Sequence, residues 1–265
     1  MIKQFPSLTE AFFNYFDVDL VTTPRQLEFV ERIRYRVYCR EFGYEPAESF
    51  PDLRESDQYD SHSLHSLITH RRSGRPAGCV RLICASDEHS LPVEDFCAGA
   101  LHLGYLETLA ENRNTMCEVS RLAVDYSFRK RPGEQHTRVG EYDAFDCCHQ
   151  EQRTFSLIGI AAFLSAFALA DLAGRSQGFA MMESNLPRWL RMSGVCLEKA
   201  GDPTEYHGRR TPYFVSSETA ITNIRDDLRK LYLTLEDRIA AGLSRARLAN
   251  GGSRVEQRAV SVASA

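Results

Sequence analysis

The apolar run LIGIAAFLSAFALADLA (157–173) most constrains what this chain can fold into. Ser165 interrupts it and Asp171 ends it, so it falls short of the 18 or more apolar residues of a membrane span. The expectation is a buried helix. A chain of 265 residues can enclose it in a sizeable core, as one large domain or two small ones. No transmembrane segment is expected, and MIKQFPSLTEAFF lacks the basic region and unbroken apolar run of a signal peptide.

Cysteine usage and charge narrow the class. The eight cysteines form no CxxC pair, and the adjacent Cys147 and Cys148 suit neither a structural bridge nor a zinc site. Reduced thiols, a cytoplasmic location and no metal centre are expected. A net charge of −4 with a pI near 6.1 argues against a general nucleic-acid binder.

Punctuation residues divide the chain. Ser7 to Glu10 and Thr23 to Gln26 are capping-box patterns, the second with proline at the first helical position. The helix after Thr23 carries Leu27, Val30, Ile33 and Val37 on one face and is expected to stop at Gly43. SLHSLITH and AGCVRLICA are strand candidates around the turn RRSGRP, and CEVSRLAV (117–124) is a third. GFAMMES reads as a strand, NLPRWLRMSG as a short helix, and CLEKAGDPTEYHGRRTPYFVSS as a hairpin. The reading is an α+β fold: a mixed, mostly antiparallel central sheet flanked by helices. Residues 1–216 form the main domain. Residues 217–249 read as a charged amphipathic helix, a possible dimer contact, and 250–265 as a disordered tail.

Glu118 and Arg121 sit inside a strand whose Val119, Leu122 and Val124 are core-type residues. An isolated carboxylate is expensive to bury, so either the strand faces water or these charges meet partners. Candidate partners recur in a fixed order: Arg34 with Tyr38 and Tyr44, then Glu55-Ser56-Asp57-Gln58-Tyr59-Asp60, then Arg81, then Glu118 to Arg121. This order resembles the acyl-homoserine-lactone synthases. RYRVYCREFGYEP, GCVRLI, SRLAV followed by FRKR, and YHGRRTPYF resemble still more closely the PEP-CTERM/exosortase system-associated acyltransferases, which are related to the N-acyl amino acid synthases. The resemblance spans roughly 20–215 and implies a GNAT-like acyltransferase fold.

A fatty-acyl thioester attacked by an amine is the chemistry this resemblance implies. An α-ammonium with a pKa of roughly 8 must lose a proton first, and Glu118 is the expected base, acting through water, with Arg121 and Arg81 holding the charge network. Arg34, Tyr38, Tyr44, Asp57, Asp60 and Arg81 are expected at the acceptor site, although Asp57 and Asp60 could equally cap a turn and the tyrosines equally serve the core. By resemblance, a backbone N–H among Leu122, Ala123 and Val124 faces the oxyanion. The donor site is expected to include Arg129, Lys130 and Arg131. Pro132 supplies no N–H where a coenzyme A pyrophosphate cradle would need one, so acyl carrier protein, presenting a phosphopantetheine arm, is favoured over acyl-CoA as co-substrate. No cofactor is expected to be resident. Alanines 161, 162, 166 and 168 are expected to leave room for an acyl chain. Two other readings remain: a lactone synthase using S-adenosylmethionine, against which the tyrosines at 38 and 44 (usually Phe and Trp there) lean, and a silent lipid- or carrier-binding module.

Overall fold

Both capping boxes are present. Ser7 with Glu10 starts α1 (Leu8–Tyr15), and Thr23 with Gln26 starts α2 (Pro24–Arg34). The structure, a computed structural model, describes residues 6–129, 149–248 and 259–263. Between the two helices lies β1 (Phe16–Leu20), which buries Phe16, Val18 and Leu20 and turns Asp17 and Asp19 away from the core. The aromatic run FFNYF hides this alternation in the sequence. α2 does not continue as an α-helix to Gly43. From Tyr35 to Glu41 the chain is π-helical, a rare form concentrated at functional sites, and it ends at Gly43 with φ +65°.

The hairpin β2 (Ser63–His70) and β3 (Pro76–Cys84) follows, then α3 (Pro92–Cys97), α4 (Leu103–Glu111) and β4 (Met116–Val124). After α5 (His149–Gln152) come the apolar helix α6 (Ser156–Leu172), β5 (Gln177–Met182) and α7 (Leu186–Met192). The chain then forms β6 (Glu198–Lys199), β7 (Thr204–Glu205), β8 (Arg209–Ser216), α8 (Ser217–Thr222) and α9 (Asp226–Leu248). Strand order is β1-β2-β3-β4-β5-β8-β6, with β7 also on β8, and only β4 and β5 run parallel. The sheet is mixed and mostly antiparallel, with helices against it, as the sequence reading expects.

α6 is the parallel crossover between β4 and β5, and it packs on β2, β3 and β4 beneath α9. Such a helix must be apolar all round, because it has sheet on one side and helix on the other. Among the described residues no helix is long and apolar enough to cross a membrane.

The region from 217 is two helices rather than one, broken between Thr222 and Asp226. Leu228, Leu231, Leu235, Ile239 and Leu243 of α9 are buried in the main core, where the helix meets α6, β1 and α1. The apolar stripe expected to offer a dimer contact is therefore covered by the chain itself. Residues 259–263, assigned to a disordered tail by composition, form a helical turn with Ala259 buried and Val260 and Val262 packed on that core.

Candidate active site

The site begins where two strands part. β4 pairs with β5 only through Met116, Cys117 and Glu118, opposite Gln177, Gly178 and Phe179. Beyond Glu118 both strands continue without pairing to each other. On the other side of β4, Arg81 faces Ser120 while Cys79 faces Ala123, so Arg121 and Leu122 together oppose Val80. This is a β-bulge, and it bends the strand away from its neighbour. Arg121 takes φ +48°, the left-handed region, at a cost of about 1–3 kcal/mol that the surrounding contacts must offset.

A cavity of about 410 Å³ fills the split. Glu118, Val119, Arg121 and Leu122 form one wall, and Met181, Met182 and Glu183 another. The π-helical turn supplies Tyr38. Tyr44 follows after Gly43, and Phe163, Trp189, Tyr206 and Arg210 close the remaining sides. The cavity thus has an apolar part, lined by Phe163, Trp189 and the two methionines, and a polar part toward Glu118 and Arg210.

Glu118 is 1% exposed. Its Oε2 accepts the Val93 N–H at 2.8 Å. Burial pushes its carboxyl up to about 8, against smaller stabilisation of the anion by that N–H and by Arg81. The sequence reading placed Arg121 and Arg81 in one network with it, but neither guanidinium forms an ion pair with Glu118 among the described residues. Their carboxylates are elsewhere.

Those carboxylates lie in a buried cluster behind the cavity wall. Arg34, fully buried, donates through Nε to Glu55 and through both terminal nitrogens to Asp60 at 2.6 and 3.1 Å. Arg81 reaches Asp57 at 2.5 Å, Asp60 at 2.9 Å and the Ser120 hydroxyl at 2.9 Å. Arg121 binds Glu45 at 2.8 Å and Glu55 at 3.2 Å, with Asp57 at 3.3 Å. Burial opposes ionisation of Asp60 and Glu55, yet the arginines outweigh it and hold both carboxyls below the ordinary range. Burial likewise works against charge on Arg121, and Glu55 and its neighbours overturn it. Every charge here meets an opposite one, which is the condition for burying charge at all.

Asp57 fills the capping role that the sequence offered as an alternative to the acceptor site. It caps the short 3₁₀ turn Gln58–His62, accepting the Tyr59 N–H at 3.0 Å, and it also binds Arg81. Arg34, Asp57, Asp60 and Arg81 do not line the cavity; they hold β4, the 3₁₀ turn and the π-helical turn together around it. Tyr38 and Tyr44 do line it. The Tyr38 hydroxyl donates to the Leu122 carbonyl at 3.0 Å, and the Arg121 guanidinium lies 5.1 Å from the Tyr38 ring centroid. The Tyr44 hydroxyl donates to Glu183 at 3.0 Å.

Of the expected donor residues only Leu122 lines the cavity. Ala123 is buried in the core beneath α2, and Val124 ends the strand. Arg129 donates to the Val124 carbonyl at 2.9 Å and pairs with Glu41, beside the half-exposed Phe42 at the cavity rim. Lys130 and Arg131 lie outside the described residues. The alanines of α6 expected to make room for an acyl chain pack in the core instead, and Phe163 is the α6 residue that reaches the cavity.

Tyr206, Arg210, Glu183 and Trp189 were not singled out from the sequence as site residues. YHGRRTPYF was the available signal. His207, at φ +50°, sits in the turn between β7 and β8 and engages the Tyr44 carbonyl at 3.1 Å, which ties this hairpin to the π-helical turn across the cavity.

Residues 33–139 match an acetyltransferase (GNAT) domain family. No curated protein matches the chain. Among solved structures, the acyl-homoserine lactone synthase BjaI, described as CoA-dependent and bound to SAM and isopentyl-CoA, superposes with a TM-score of 0.53 at 18% identity. That match covers 85% of this chain and 90% of BjaI. FeeM, an N-acyl amino acid synthase from uncultured soil microbes, gives a TM-score of 0.53 at 12% identity, covering 81% and 97%. The lactone synthase LasI gives 0.52 at 12% identity, covering 80% and 97%. The matched domain and this shared fold class the chain as an acyltransferase with a GNAT-like fold.

Proposed function

We propose that the chain is an N-acyltransferase that moves a fatty acyl group from a thioester to the amine of an amino acid or similar small molecule by direct attack. The observation that carries this reading is Glu118: a buried carboxyl, pushed up to about 8, at the point where β4 and β5 part and a cavity opens. Such a group is matched to proton transfer near neutral pH. An ammonium arriving beside it favours the carboxylate, so substrate binding itself draws the group toward its basic form.

Glu118 takes the ammonium proton, directly or through one water. The free amine then attacks the thioester carbon, the C–S bond breaks, and the proton lost by the new amide nitrogen goes to the departing thiolate. The bulge at Arg121 and Leu122 supports a β4 N–H as oxyanion donor, since it takes these residues out of one-to-one pairing with β3. The apolar part of the cavity suits the acyl chain.

Acyl carrier protein is the proposed donor, on the strength of Arg129 near the rim and of Pro132, which removes an N–H from the stretch where a pyrophosphate cradle would form. Acyl-CoA is the alternative. The motifs at 34–46 and 206–214 support a place beside the exosortase-associated acyltransferases. Lactone synthesis from S-adenosylmethionine is the second reading, supported by the resemblance of the Arg34, Asp57, Asp60 and Arg81 order to that of the lactone synthases. Mass spectrometry of lipid extracts from cells expressing the chain, with and without Glu118→Ala, tests these readings together. An N-acyl amino acid lost in the variant is expected. An acyl lactone in its place would establish the second reading, and identical extracts would refute both.

A further inference from the structure

Two arginines line the cavity, and their surroundings differ. Arg121 is hydrogen-bonded to Glu45 and Glu55. Arg210 has as its nearest carboxylate oxygen only Glu183, 3.8 Å away, and that carboxylate is half-exposed and already accepts the Tyr44 hydroxyl. The Arg210 side chain is only 15% exposed, and its Nε is a buried donor with no acceptor among the described residues. Its guanidinium lies 5.2 Å from the Tyr44 ring centroid, which orients it without neutralising it. Tyr206 also lines the cavity.

A desolvated cation with an unmet donor, opening on a cavity, is a site built for an anion. We propose that Arg210 binds the α-carboxylate of the acceptor and so restricts the acceptor to α-amino acids. The inference rests on the amine-acylation reading above, and it adds the group that aims the amine. Glu118 and Arg210 lie on one cavity, so an amino acid held by its carboxylate at Arg210 presents its nitrogen toward the β4–β5 split. A carboxylate takes two parallel N–H bonds from a guanidinium, which matches the planar fork of Arg210. A phosphate on the donor is assigned instead to the rim, where Arg129 lies beside Phe42.

The test reads binding and turnover separately. Trp189 is the chain's single tryptophan and lines the cavity, so its fluorescence reports occupancy without catalysis. Titration with N-dodecanoylglycine and N-dodecanoylglycinamide compares a carboxylate with its uncharged isostere. The wild type is expected to prefer the carboxylate by about 10- to 100-fold, the worth of a hydrogen bond to a charged group. Arg210→Gln should bring the ratio near one, and Arg210→Lys should retain part of it. In steady-state assays Arg210→Gln should raise the acceptor KM by a similar factor and leave the donor KM unchanged. Equal wild-type affinity for the two probes, binding of neither, a preference surviving in Arg210→Gln, or a rise confined to the donor KM would each overturn the proposal. Absence of N-acylation by the wild type would instead overturn the function proposed above, while the probe ratio still decides the role of Arg210.

Discussion

Glu118→Gln should lower activity and raise stability, and the two effects follow from one number. Burial raises the Glu118 carboxyl from its ordinary 4.5 to about 8. A group whose pKa is higher in the folded state contributes stability that is fully present below the unfolded value and is lost as pH rises through the folded one. At 1.36 kcal/mol per pKa unit, ionising Glu118 in place costs the fold about 5 kcal/mol, developed between pH 4.5 and 8. Glutamine has nearly the same shape, is neutral at every pH, and keeps an oxygen for the Val93 N–H. The stability difference between variant and wild type should therefore grow from under about 1 kcal/mol at pH 5 to about 5 kcal/mol at pH 9. Urea unfolding of both proteins at pH 5, 7 and 9 measures this, and all other titrating groups cancel in the difference. Turnover should fall by about 10² or more near pH 8, because the proton acceptor is gone, and the gap should narrow at lower pH, where the wild type is itself protonated. The wild-type rate should climb with pH toward 8, as the carboxylate fraction grows. A stability difference that stays flat with pH would show that Glu118 is not desolvated as described, and near-normal turnover in a folded variant would remove it as the base.

Asp60→Asn leaves the Arg34 and Arg81 guanidinium groups short of a buried charge, so it should cost about 3–5 kcal/mol by chemical denaturation. The carboxyls of Asp60 and Glu55 are held low in the fold, so the wild type should lose stability as pH drops below about 4, and the variant should lose less over the same range. Phe163→Ala deepens the apolar part of the cavity and should move the acyl-chain optimum to longer donors, whereas Ala162→Phe should only overpack the core, by about 1–3 kcal/mol, with chain preference unchanged. A longer optimum in the second variant and not the first would contradict this placement. Arg129→Glu sets a second carboxylate beside Glu41 at the rim and should lower kcat/KM for an acyl carrier protein donor more than for the matching acyl-CoA; an equal loss with both would argue against a carrier docking there.

The parts of the fold legible in the sequence are those set by local chemistry. Capping boxes at Ser7 and Thr23 marked two helix starts, the turn RRSGRP marked the strand pair on either side of it, CEVSRLAV marked a further strand, and the apolar run 157–173 marked a buried helix. Glu118 and Arg121 were visible because charge in a core-type strand demands an explanation. β1 was not, because a five-residue alternation next to FFNYF carries too few residues to stand out.

The site itself was decided by tertiary structure. No local signal says that Arg121 takes a left-handed conformation in a bulge, or that Tyr35–Glu41 widens to a π-helix, since both arise from contacts with distant strands and carboxylates. Pairing of charges likewise depends on the whole fold. Glu118 and Arg121 are three residues apart, yet the bulge turns Arg121 toward Glu45 and Glu55 and leaves Glu118 buried without an ion pair among the described residues, where desolvation sets its proton affinity. Arg210 lies 92 residues further along the chain than Glu118 and becomes part of the same cavity only when β8 pairs with β5. Sequence thus determined which charges the core would have to accommodate. The packing determined which of them were neutralised and which were left to act, because burial and partner distance are properties of the folded chain alone.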